Sequence, residues 1–181
     1  MNTSVATPAE AGTPANICLP MLVLGQFFPE HGGTYVGRCR STDGKSQWEV
    51  FAAPVETGEC QEITFGPRGV RVDGADDHRD GLANTLALIN AAADHPAARA
   101  CNGLAINGRS DYYLPSRAEM MLCWMNAPES FSRDDVYWTS TQYVSDYAWS
   151  QYFYDGNQYF NVKDWEQRCR AVRRELINSS L

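Results

Sequence analysis

Residues 137–165 read YWTSTQYVSDYAWSQYFYDGNQYFNVKDW and contain six of the nine tyrosines of the chain. Three tryptophans lie in the same stretch, separated by Ser, Asn, Asp and Gln residues. Asp155-Gly156 is a dipeptide typical of tight two-residue turns, and alternating segments flank it. The stretch therefore predicts a β-hairpin that turns at Asp155-Gly156.

The two faces of the predicted hairpin differ in composition, because successive side chains of a strand point to opposite faces. One face is polar and phenolic, and its cross-strand pairs are Tyr154 with Asn157, Tyr152 with Tyr159, and Ser150 with Asn161. The other face is more apolar and is predicted to pack against the core or a neighbouring chain; it carries Trp149, Gln151, Phe153, Gln158, Phe160 and Val162.

The polar and phenolic face favours a recognition surface. Tyrosine supplies broad, rigid, amphipathic contact area at little entropic cost, and small polar residues adapt their hydrogen bonds to a partner. The alternative is the core of a β-domain, in which tyrosines are half buried with their hydroxyls satisfied. So many hydroxyls and amides on one strand face favour presentation to solvent over burial.

Length and composition place the chain among folded domains. Its 181 residues fit one ordinary domain, and apolar residues at 44% predict a packed core. The net charge of −7 argues against nucleic acid and anionic membranes as partners. The longest apolar run, around residues 19–28, is shorter than the ~20 residues that span a bilayer, so no membrane insertion is expected.

The N-terminal part divides in two. Residues 1–16 are small, polar and proline-bearing, which predicts a flexible tail or linker. No Lys or Arg precedes the apolar run that follows, so a conventional secretion signal is not expected. Residues 19–53 alternate apolar pieces with turn signals at Gly32-Gly33 and Asp43-Gly44, which predicts short strands and hairpins.

Two helices and a final strand are predicted further along. Within residues 80–93, apolar side chains recur at helical spacing, at Leu82, Leu86, Ile89 and Ala93. Residues 116–119 read SRAE, a capping box that opens a second helix ending before Pro128. Residues 120–125 are apolar nearly all round, which predicts that this helix is sandwiched inside the domain. Residues 168–174 predict a last strand with solvated or ion-paired arginines.

Residue types that bind metals or carry catalysis occur without a recognised arrangement. An acidic group suggests a calcium loop but lacks EF-hand spacing, so a solvated helix entrance is favoured; it comprises Asp73, Asp76, Asp77 and Asp80. The histidines are expected at the surface or in loops: His31, His78 and His95. The cysteines form no CxxC pair and are expected to be buried free thiols: Cys18, Cys39, Cys60, Cys101, Cys123 and Cys169. No catalytic residue, metal or cofactor is therefore predicted.

Several segments together resemble a known family. The series DGLANTLALINAA, AARACNGLAINGRSDYYLPSRAEM, YWTSTQY, AWSQYF, GNQYF and RCRAVRRE is similar to the Lcl C-terminal-like domain family, which has a C-type-lectin fold. The resemblance covers roughly residues 20–176, and the opening GQFFPEHGGTYVG resembles the phage-borne members. It implies an α+β fold with two helices and a mixed, mainly antiparallel sheet, in a single domain of residues 17–181 with a β-rich N-terminal hairpin extension.

A second resemblance concerns residues 137–167. Fixed-looking Trp149, Gln151, Phe153, Gly156, Gln158 and Lys163 alternate there with Tyr, Ser, Asp, Asn, Val and Phe. This pattern resembles the variable region of proteins diversified by retroelements, the functional class of the phage major tropism determinant. In that class a rigid C-type-lectin scaffold displays mutable residues.

The second resemblance implies a set of ligand-binding residues. They are Tyr143, Val144, Ser145, Asp146, Tyr147, Ser150, Tyr152, Tyr154, Asp155, Tyr159, Phe160, Asn161, Val162, Asp164 and Trp165. Phe160 and Val162 fall on the predicted packing face, so either the register differs or both faces are accessible. The Glu-Pro-Asn and Gln-Pro-Asp signatures of calcium-dependent lectins are missing, so sugar recognition through calcium is not implied.

The expected function is non-enzymatic ligand binding through a diversifiable Tyr-rich surface. The resemblance implies a phage or prophage receptor-binding protein at a tail-fibre tip, located in the virion after assembly in the host cytoplasm. Its expected partners are a host-surface protein or glycan, further copies in a homotrimer, and a tail-fibre protein.

Three alternatives remain. One is a structural or assembly subunit of a phage particle. Another is a bacterial diversified binding protein, in the cytoplasm or at the surface by a non-standard route. The third is an enzyme of the formylglycine-generating type, which shares the fold. It requires Cys101, Cys123 or Cys169 to be exposed, adjacent and reactive.

Overall fold

The structure is a computed structural model that describes residues 21–177. The predicted tail of residues 1–16 and Cys18 lie outside the described residues. The strands are β1 Phe27–Phe28, β2 Gly33–Arg40, β3 Gln47–Ala52, β4 Glu59–Thr64, β5 Val136–Gln142, β6 Tyr147–Tyr152, β7 Gln158–Val162, β8 Glu166–Arg170 and β9 Val172–Leu176. The helices are α1 Val55–Gly58, α2 Gly81–Asn90, α3 Pro96–Asn102 and α4 Arg117–Asn126, and 3₁₀ turns cover Pro29–His31 and Pro128–Ser130.

The strands form two sheets. An antiparallel four-stranded sheet has the order β1-β2-β3-β9. A five-stranded sheet has the order β4-β8-β5-β6-β7, and in it β5 and β8 run parallel while the other neighbours run antiparallel. The predicted α+β class, with mixed and antiparallel sheets, is confirmed. Helices α2 and α4 are the two that the sequence patterns predict, whereas the short α1 and α3 contain too few turns to show a periodic apolar pattern.

The β-rich N-terminal part is confirmed for the described residues. Strands β2 and β3 form a hairpin around Gly44, which has a positive φ of 74°. Strand β3 then pairs with β9, so the N-terminal hairpin joins the C-terminal end of the chain in one sheet. No helix within residues 21–177 has both the length and the apolar character that crossing a bilayer requires.

Helix α2 begins where the acidic group predicts a helix entrance, but it buries a different face from the predicted one. The Asp80 side chain caps the helix by accepting a hydrogen bond from Ala83 N at 2.9 Å. The buried residues are Gly81, Asn84, Thr85 and Leu88. Leu86, which the apolar pattern assigns to the core, is exposed. Asn84 and Thr85 tolerate burial because their side chains donate to backbone carbonyls.

The capping box of α4 is confirmed, and its glutamate connects several elements. Ser116 and Glu119 make the reciprocal side-chain to backbone hydrogen bonds of this motif. The Glu119 carboxylate is fully buried and accepts from Trp48 Nε1 at 3.0 Å and Tyr113 OH at 2.7 Å. Gly81 N donates to its other oxygen at 3.1 Å. One carboxylate therefore ties α4 to α2, β3 and the segment before α4.

The prediction that α4 is enclosed on all sides is wrong. Met120 and Cys123 are buried, but Met125 in the last turn is 60% exposed, and Leu122 and Trp124 are partly exposed. Helix α4 carries more apolar side chains than its contacts with the core can bury. One side of α4 is therefore left to line surface grooves.

The arginine-rich C-terminal run forms two strands in different sheets rather than one strand, because the chain changes sheet at Ala171. Arg170 is buried and pairs with Glu59 at 2.8 Å. Arg173 is buried and pairs with Asp111 at 2.8 Å. The arginines are ion-paired, as one of the two predictions has it, but their guanidinium groups lie inside the protein. Removal of a carboxylate partner there would leave an uncompensated buried charge.

The histidines lie at the surface or in loops, as predicted, but one loop histidine is buried. His78 is exposed and His31 is partly exposed, but His95 is fully buried. Its Nδ1 lies 3.3 Å from Phe65 O, and among the described residues its Nε2 has no hydrogen-bond partner. Burial lowers the pKa of His95, so the ring is neutral near pH 7.

Candidate ligand-binding surface

Strands β6 and β7 form the predicted hairpin in a register shifted by two residues. Ser150 pairs with Tyr159, where the sequence predicts Tyr152 opposite Tyr159. The shift arises because the connection is longer than a two-residue turn: Tyr152 N donates to Asn157 O at 2.9 Å and closes the loop that contains Gly156. A shift of two residues keeps every side chain on its predicted face, whereas a shift of one would exchange the faces.

Three tyrosines of the predicted presenting face form a phenol cluster: Tyr152, Tyr154 and Tyr159. The Tyr152 ring meets the Tyr159 ring edge-on at 5.2 Å and the Tyr154 ring at 5.9 Å. Tyr154 is 55% exposed and Tyr159 is 50% exposed, while Tyr152 is partly buried. The Asp155 carboxylate raises the pKa of the Tyr154 phenol, so the Tyr154 hydroxyl remains a protonated donor near neutral pH.

The expectation that this whole face projects to solvent is wrong for Ser150 and Asn161, which are both buried. Ser150 Oγ donates to Gln167 Oε1 at 2.8 Å, and Asn161 Nδ2 donates to Tyr152 OH at 3.2 Å. Their short polar side chains are covered by the larger rings and by strand β8. Asn161 supports the phenol cluster through its hydrogen bond to Tyr152, and both residues are too buried to contact a ligand directly in this structure.

The opposite face of the hairpin is not a closed packing face. It carries Tyr147, Trp149 and Phe160, and Tyr143 from the β5–β6 loop packs on them; we call these four residues the aromatic patch. Tyr143 and Phe160 stack at 4.7 Å with an interplanar angle of 21°, and each is 45% exposed. Trp149 meets the Phe160 ring edge-on at 5.7 Å. Both faces of the hairpin are therefore accessible, which resolves the conflict over Phe160.

Arg117 completes the aromatic patch from the first turn of α4. Its guanidinium carbon lies 3.5 Å from the ring centroid of Trp149, a cation–π arrangement. Its Nε donates to Gln158 Oε1 at 2.9 Å, and desolvation lowers the pKa of its guanidinium, which remains charged. In the sequence, Arg117 is recognisable only as part of the capping box. Its role at the patch depends on a contact between α4 and the hairpin that no local pattern reveals.

The remaining candidate residues lie around the two clusters. The exposed ones are Val144, Asp155, Asp164 and Trp165, and the partly exposed ones are Ser145, Asp146 and Val162. Asp155 accepts from Asn157 N at 2.9 Å, which organises the hairpin loop and lowers the pKa of the carboxyl. Asp146 accepts from Gly69 N at 2.8 Å and so ties the β5–β6 loop to the loop before α2.

Several fixed-looking residues of the hairpin are buried. Phe153 stacks on Phe131 at 4.4 Å, and Gln151 accepts from Gln158 Nε2 at 2.9 Å. Lys163 is fully buried, and its Nζ donates to Val70 O at 2.6 Å and to Gln142 Oε1 at 2.9 Å. These residues hold the backbone that carries the exposed rings.

A groove adjoins the phenol cluster at the C-terminal end of α4. It has a volume of about 590 Å³ and is lined by Trp124, Met125, Pro128, Glu129, Arg133, Phe153 and Tyr154. The sequence pattern assigns Met125 to a core, so this groove is not predicted. The combination of an exposed methionine, tryptophan and tyrosine is typical of adaptable binding surfaces.

The acidic group and the thiols have structural roles in the described residues. Asp77 accepts from Arg79 N at 2.7 Å and Asp80 caps α2, as expected of a helix entrance. Cys39, Cys101, Cys123 and Cys169 are buried free thiols, and Cys60 is partly exposed. Cys101 Sγ and Cys169 Sγ lie 3.8 Å apart, so they are adjacent but not exposed, and burial raises the pKa of the Cys123 thiol to about 12. This environment disfavours the thiolate that thiol catalysis requires.

The geometry defines a surface with exposed aromatic rings on both faces of one hairpin, supported by buried polar contacts. Such rings bind ligands by stacking and apolar contact, and their hydroxyls orient the ligand by hydrogen bonds. Searches against protein-family models and against curated proteins found no match to the chain.

Proposed function

We propose that this protein is a non-enzymatic ligand-binding protein of the C-type-lectin type, whose hairpin β6–β7 and adjacent loops present a diversifiable surface. The observation that carries the proposal is the division of the hairpin into exposed and buried positions. Exposed rings lie on both faces, while Gln151, Phe153 and Lys163 are buried. A surface that changes its residues needs a backbone whose stability depends on other residues, and this division meets that requirement.

The proposed ligand is a host-surface protein or glycan, and the proposed setting is the tail-fibre tip of a phage or prophage particle, assembled in the host cytoplasm. Repetition of the surface in a homotrimer or on a fibre would raise the avidity of weak single sites. A bacterial diversified binding protein, in the cytoplasm or at the cell surface, uses the same surface. The phage assignment rests on the resemblance described above.

A display library tests the proposal directly. Codons for five exposed positions are randomised: Tyr143, Val144, Tyr154, Tyr159 and Phe160. The library is selected against a purified outer-membrane protein and a purified bacterial polysaccharide. Specific binders are expected, since these positions contribute little to stability. A control library randomises five exposed positions away from the hairpin: Glu56, Gln61, Arg68, Asp73 and Asp94.

Equal yields of binders from the two libraries would overturn the assignment of the surface. The genomic context tests the diversification separately. A reverse-transcriptase gene beside this gene, with a near-identical template repeat that differs at adenine positions, is expected. Absence of both the gene and the repeat would overturn the proposal that the surface is diversified. The display library would then be the only test of the binding surface.

The aromatic patch also favours a second candidate, a structural or assembly subunit. Tyr143, Phe160 and the neighbouring Val144 place apolar area at the surface. A permanent partner would cover such an area with a larger, drier interface than a transient ligand does. Mass measurement in solution of the unsubstituted protein and of Phe160→Asp distinguishes the two: dissociation of a stable oligomer by the substitution supports assembly, and an unchanged mass with loss of selected ligands supports recognition.

A further inference from the structure

A second concave site lies away from the hairpin, between β2 and α4. This cleft has a volume of about 430 Å³, within the ~300–1,000 Å³ of sites for small molecules. Arg38 and Arg40 enter it from β2, and Arg79 enters it from the loop before α2. Ala118 and Leu122 of α4 provide apolar lining.

The cleft concentrates positive charge in a chain whose net charge is −7. Arg38 pairs with Glu49 at 2.6 Å. Within residues 21–177, neither Arg40 nor Arg79 forms a salt bridge, although both are exposed and most other arginines have a carboxylate partner. Two guanidinium groups are therefore available to an anion at this one place.

The backbone holds these two arginines side by side. Cys39 Sγ lies 3.9 Å from Arg40 O and 3.7 Å from Arg79 O, so the buried thiol bridges the two segments. Burial raises the pKa of Cys39 to about 11, and the sulfur remains a neutral thiol that does not compete with an anion. The position of the arginines is thus fixed at the backbone, while their side chains remain free to adjust.

The end of helix α4 does not supply the anion site. Arg117 N donates to Thr141 Oγ1 at 3.2 Å, and Ala118 N donates to His78 O at 3.0 Å. Ser116 Oγ accepts from the next free amide, that of Glu119, at 3.3 Å. An anion in the cleft would therefore be held by guanidinium groups, which bind carboxylate and phosphate oxygens through paired N–H donors.

We propose that the cleft binds a small organic oxyanion, whose carboxylate or phosphate group lies between Arg40 and Arg79 and whose apolar part rests on Leu122 and Ala118. Gln47, which also lines the cleft, offers a neutral donor and acceptor for a further polar group. The proposal does not depend on the function proposed for the hairpin, because the two sites share no lining residue.

Calorimetric titration of the full chain tests the proposal with three probes: inorganic phosphate, phenyl phosphate and benzoate, at matched ionic strength. Phenyl phosphate is expected to bind more tightly than inorganic phosphate, because its phenyl ring covers the apolar lining. Weaker binding of benzoate than of phenyl phosphate would identify phosphate as the preferred head group, and the reverse order would identify carboxylate. Lack of binding by all three probes at millimolar concentration would overturn the proposal.

Paired variants locate the site. Arg40→Gln combined with Arg79→Gln is expected to weaken binding by about tenfold or more, since each arginine supplies charge-assisted hydrogen bonds to the anion. The control combines Arg68→Gln with Arg99→Gln, two exposed arginines that line neither the cleft nor the groove beside the phenol cluster. It changes the net charge equally and should retain binding. Equal loss in both pairs would show non-specific charge attraction and overturn the site. Unfolding curves of both pairs without probe should match the unsubstituted protein.

Discussion

The α-carbon of Gly156 lies against the indole ring of Trp124, so closely that a β-carbon at this position would meet Trp124 Cζ2 at 2.3 Å. Trp124 Nε1 donates to Phe153 O at 3.1 Å just before the turn. Gly156 also has a positive φ of 78°, which favours glycine. The hairpin that carries the phenol cluster is thus docked on α4 through a residue without a side chain.

Gly156→Ala is therefore expected to lower the free energy of unfolding by about 2 kcal/mol or more, from the positive φ and from the clash with Trp124 together. Urea unfolding measures the loss. Gly44→Ala is the matched control, since Gly44 has a φ of 74° but nothing within 4 Å of the added β-carbon. Gly44→Ala should lower the free energy of unfolding only through its unfavourable backbone conformation, by about 1 kcal/mol. Equal losses for the two variants would contradict the docking role of Gly156.

Glu119→Gln tests the buried carboxylate. The carboxylate accepts hydrogen bonds from Trp48, Tyr113, Ser116 and Gly81, whereas an amide replaces one accepting oxygen by a donating NH₂ group. At least one buried donor then faces another donor, which is expected to cost about 3 kcal/mol. Thermal and urea unfolding measure the loss. The exposed Glu129→Gln should change stability by less than about 0.5 kcal/mol, and a similarly small change for Glu119→Gln would show that the buried network is dispensable.

The buried amine of Lys163 leads us to expect that the folded protein becomes more stable as the pH rises into the alkaline range. Burial lowers the pKa of its amine to about 8; Arg71 acts in the same direction and Asp146 opposes it. In the unfolded chain the pKa is about 10.4, so between these values only the unfolded state binds the proton. The free energy of unfolding therefore increases with pH across this window, by an amount on the order of 2 kcal/mol. Below pH 8 both states are protonated and this contribution does not vary.

Lys163→Met supplies the reference for that measurement. Urea unfolding of both proteins between pH 7 and pH 10 gives two stability curves, and other groups that titrate in this range affect both alike. The free energy of unfolding of the unsubstituted protein should increase relative to that of Lys163→Met as the pH rises. Curves that stay parallel would mean that the folded-state pKa of Lys163 is close to its ordinary value.

The local patterns that predict elements correctly are those with a short-range physical cause. The capping box at Ser116 and the alternation on both sides of Gly156 depend on neighbouring residues alone. The register of the hairpin is missed by two residues because Trp124, distant in the sequence, determines where the loop sits. The buried face of α2 is predicted wrongly because Asn84 and Thr85 are buried with their hydrogen bonds satisfied, which an apolar pattern does not detect.

The candidate site likewise combines features that the local sequence predicts with features that depend on tertiary contacts. Exposed phenols at Tyr154 and Tyr159 follow from alternation, whereas burial of Ser150 under them depends on β8, which supplies Gln167. The exposure of Phe160 is missed because the alternation does not reveal whether a second layer covers that face. Arg117 and Met125 come to the surface through tertiary contacts of α4. Sequence therefore predicts which residues share a face, and the tertiary structure determines which face is covered.

Substitutions at exposed and buried candidate positions should separate the two kinds of residue within one hairpin. Tyr159→Ser removes a ring that is 50% exposed, and it should change the free energy of unfolding by less than about 1 kcal/mol. Ser150→Tyr places a ring where Ser150 is fully buried and breaks its hydrogen bond to Gln167. Overpacking of this kind costs about 1–3 kcal/mol, so the second variant should be clearly less stable.

The pair matters because the two residues lie directly opposite each other in the register of β6 and β7. Each substitution exchanges serine and tyrosine, so the strands, the residue types and the distance from the loop are matched. Urea unfolding of the two variants then compares the removal of a ring at one position with the insertion of a ring at the position opposite. If Tyr159→Ser is the more destabilising change, the phenol cluster belongs to the core, and a surface that freely exchanges its tyrosines is ruled out. If Ser150→Tyr is the more destabilising, diversification at this hairpin is confined to the positions whose side chains reach solvent.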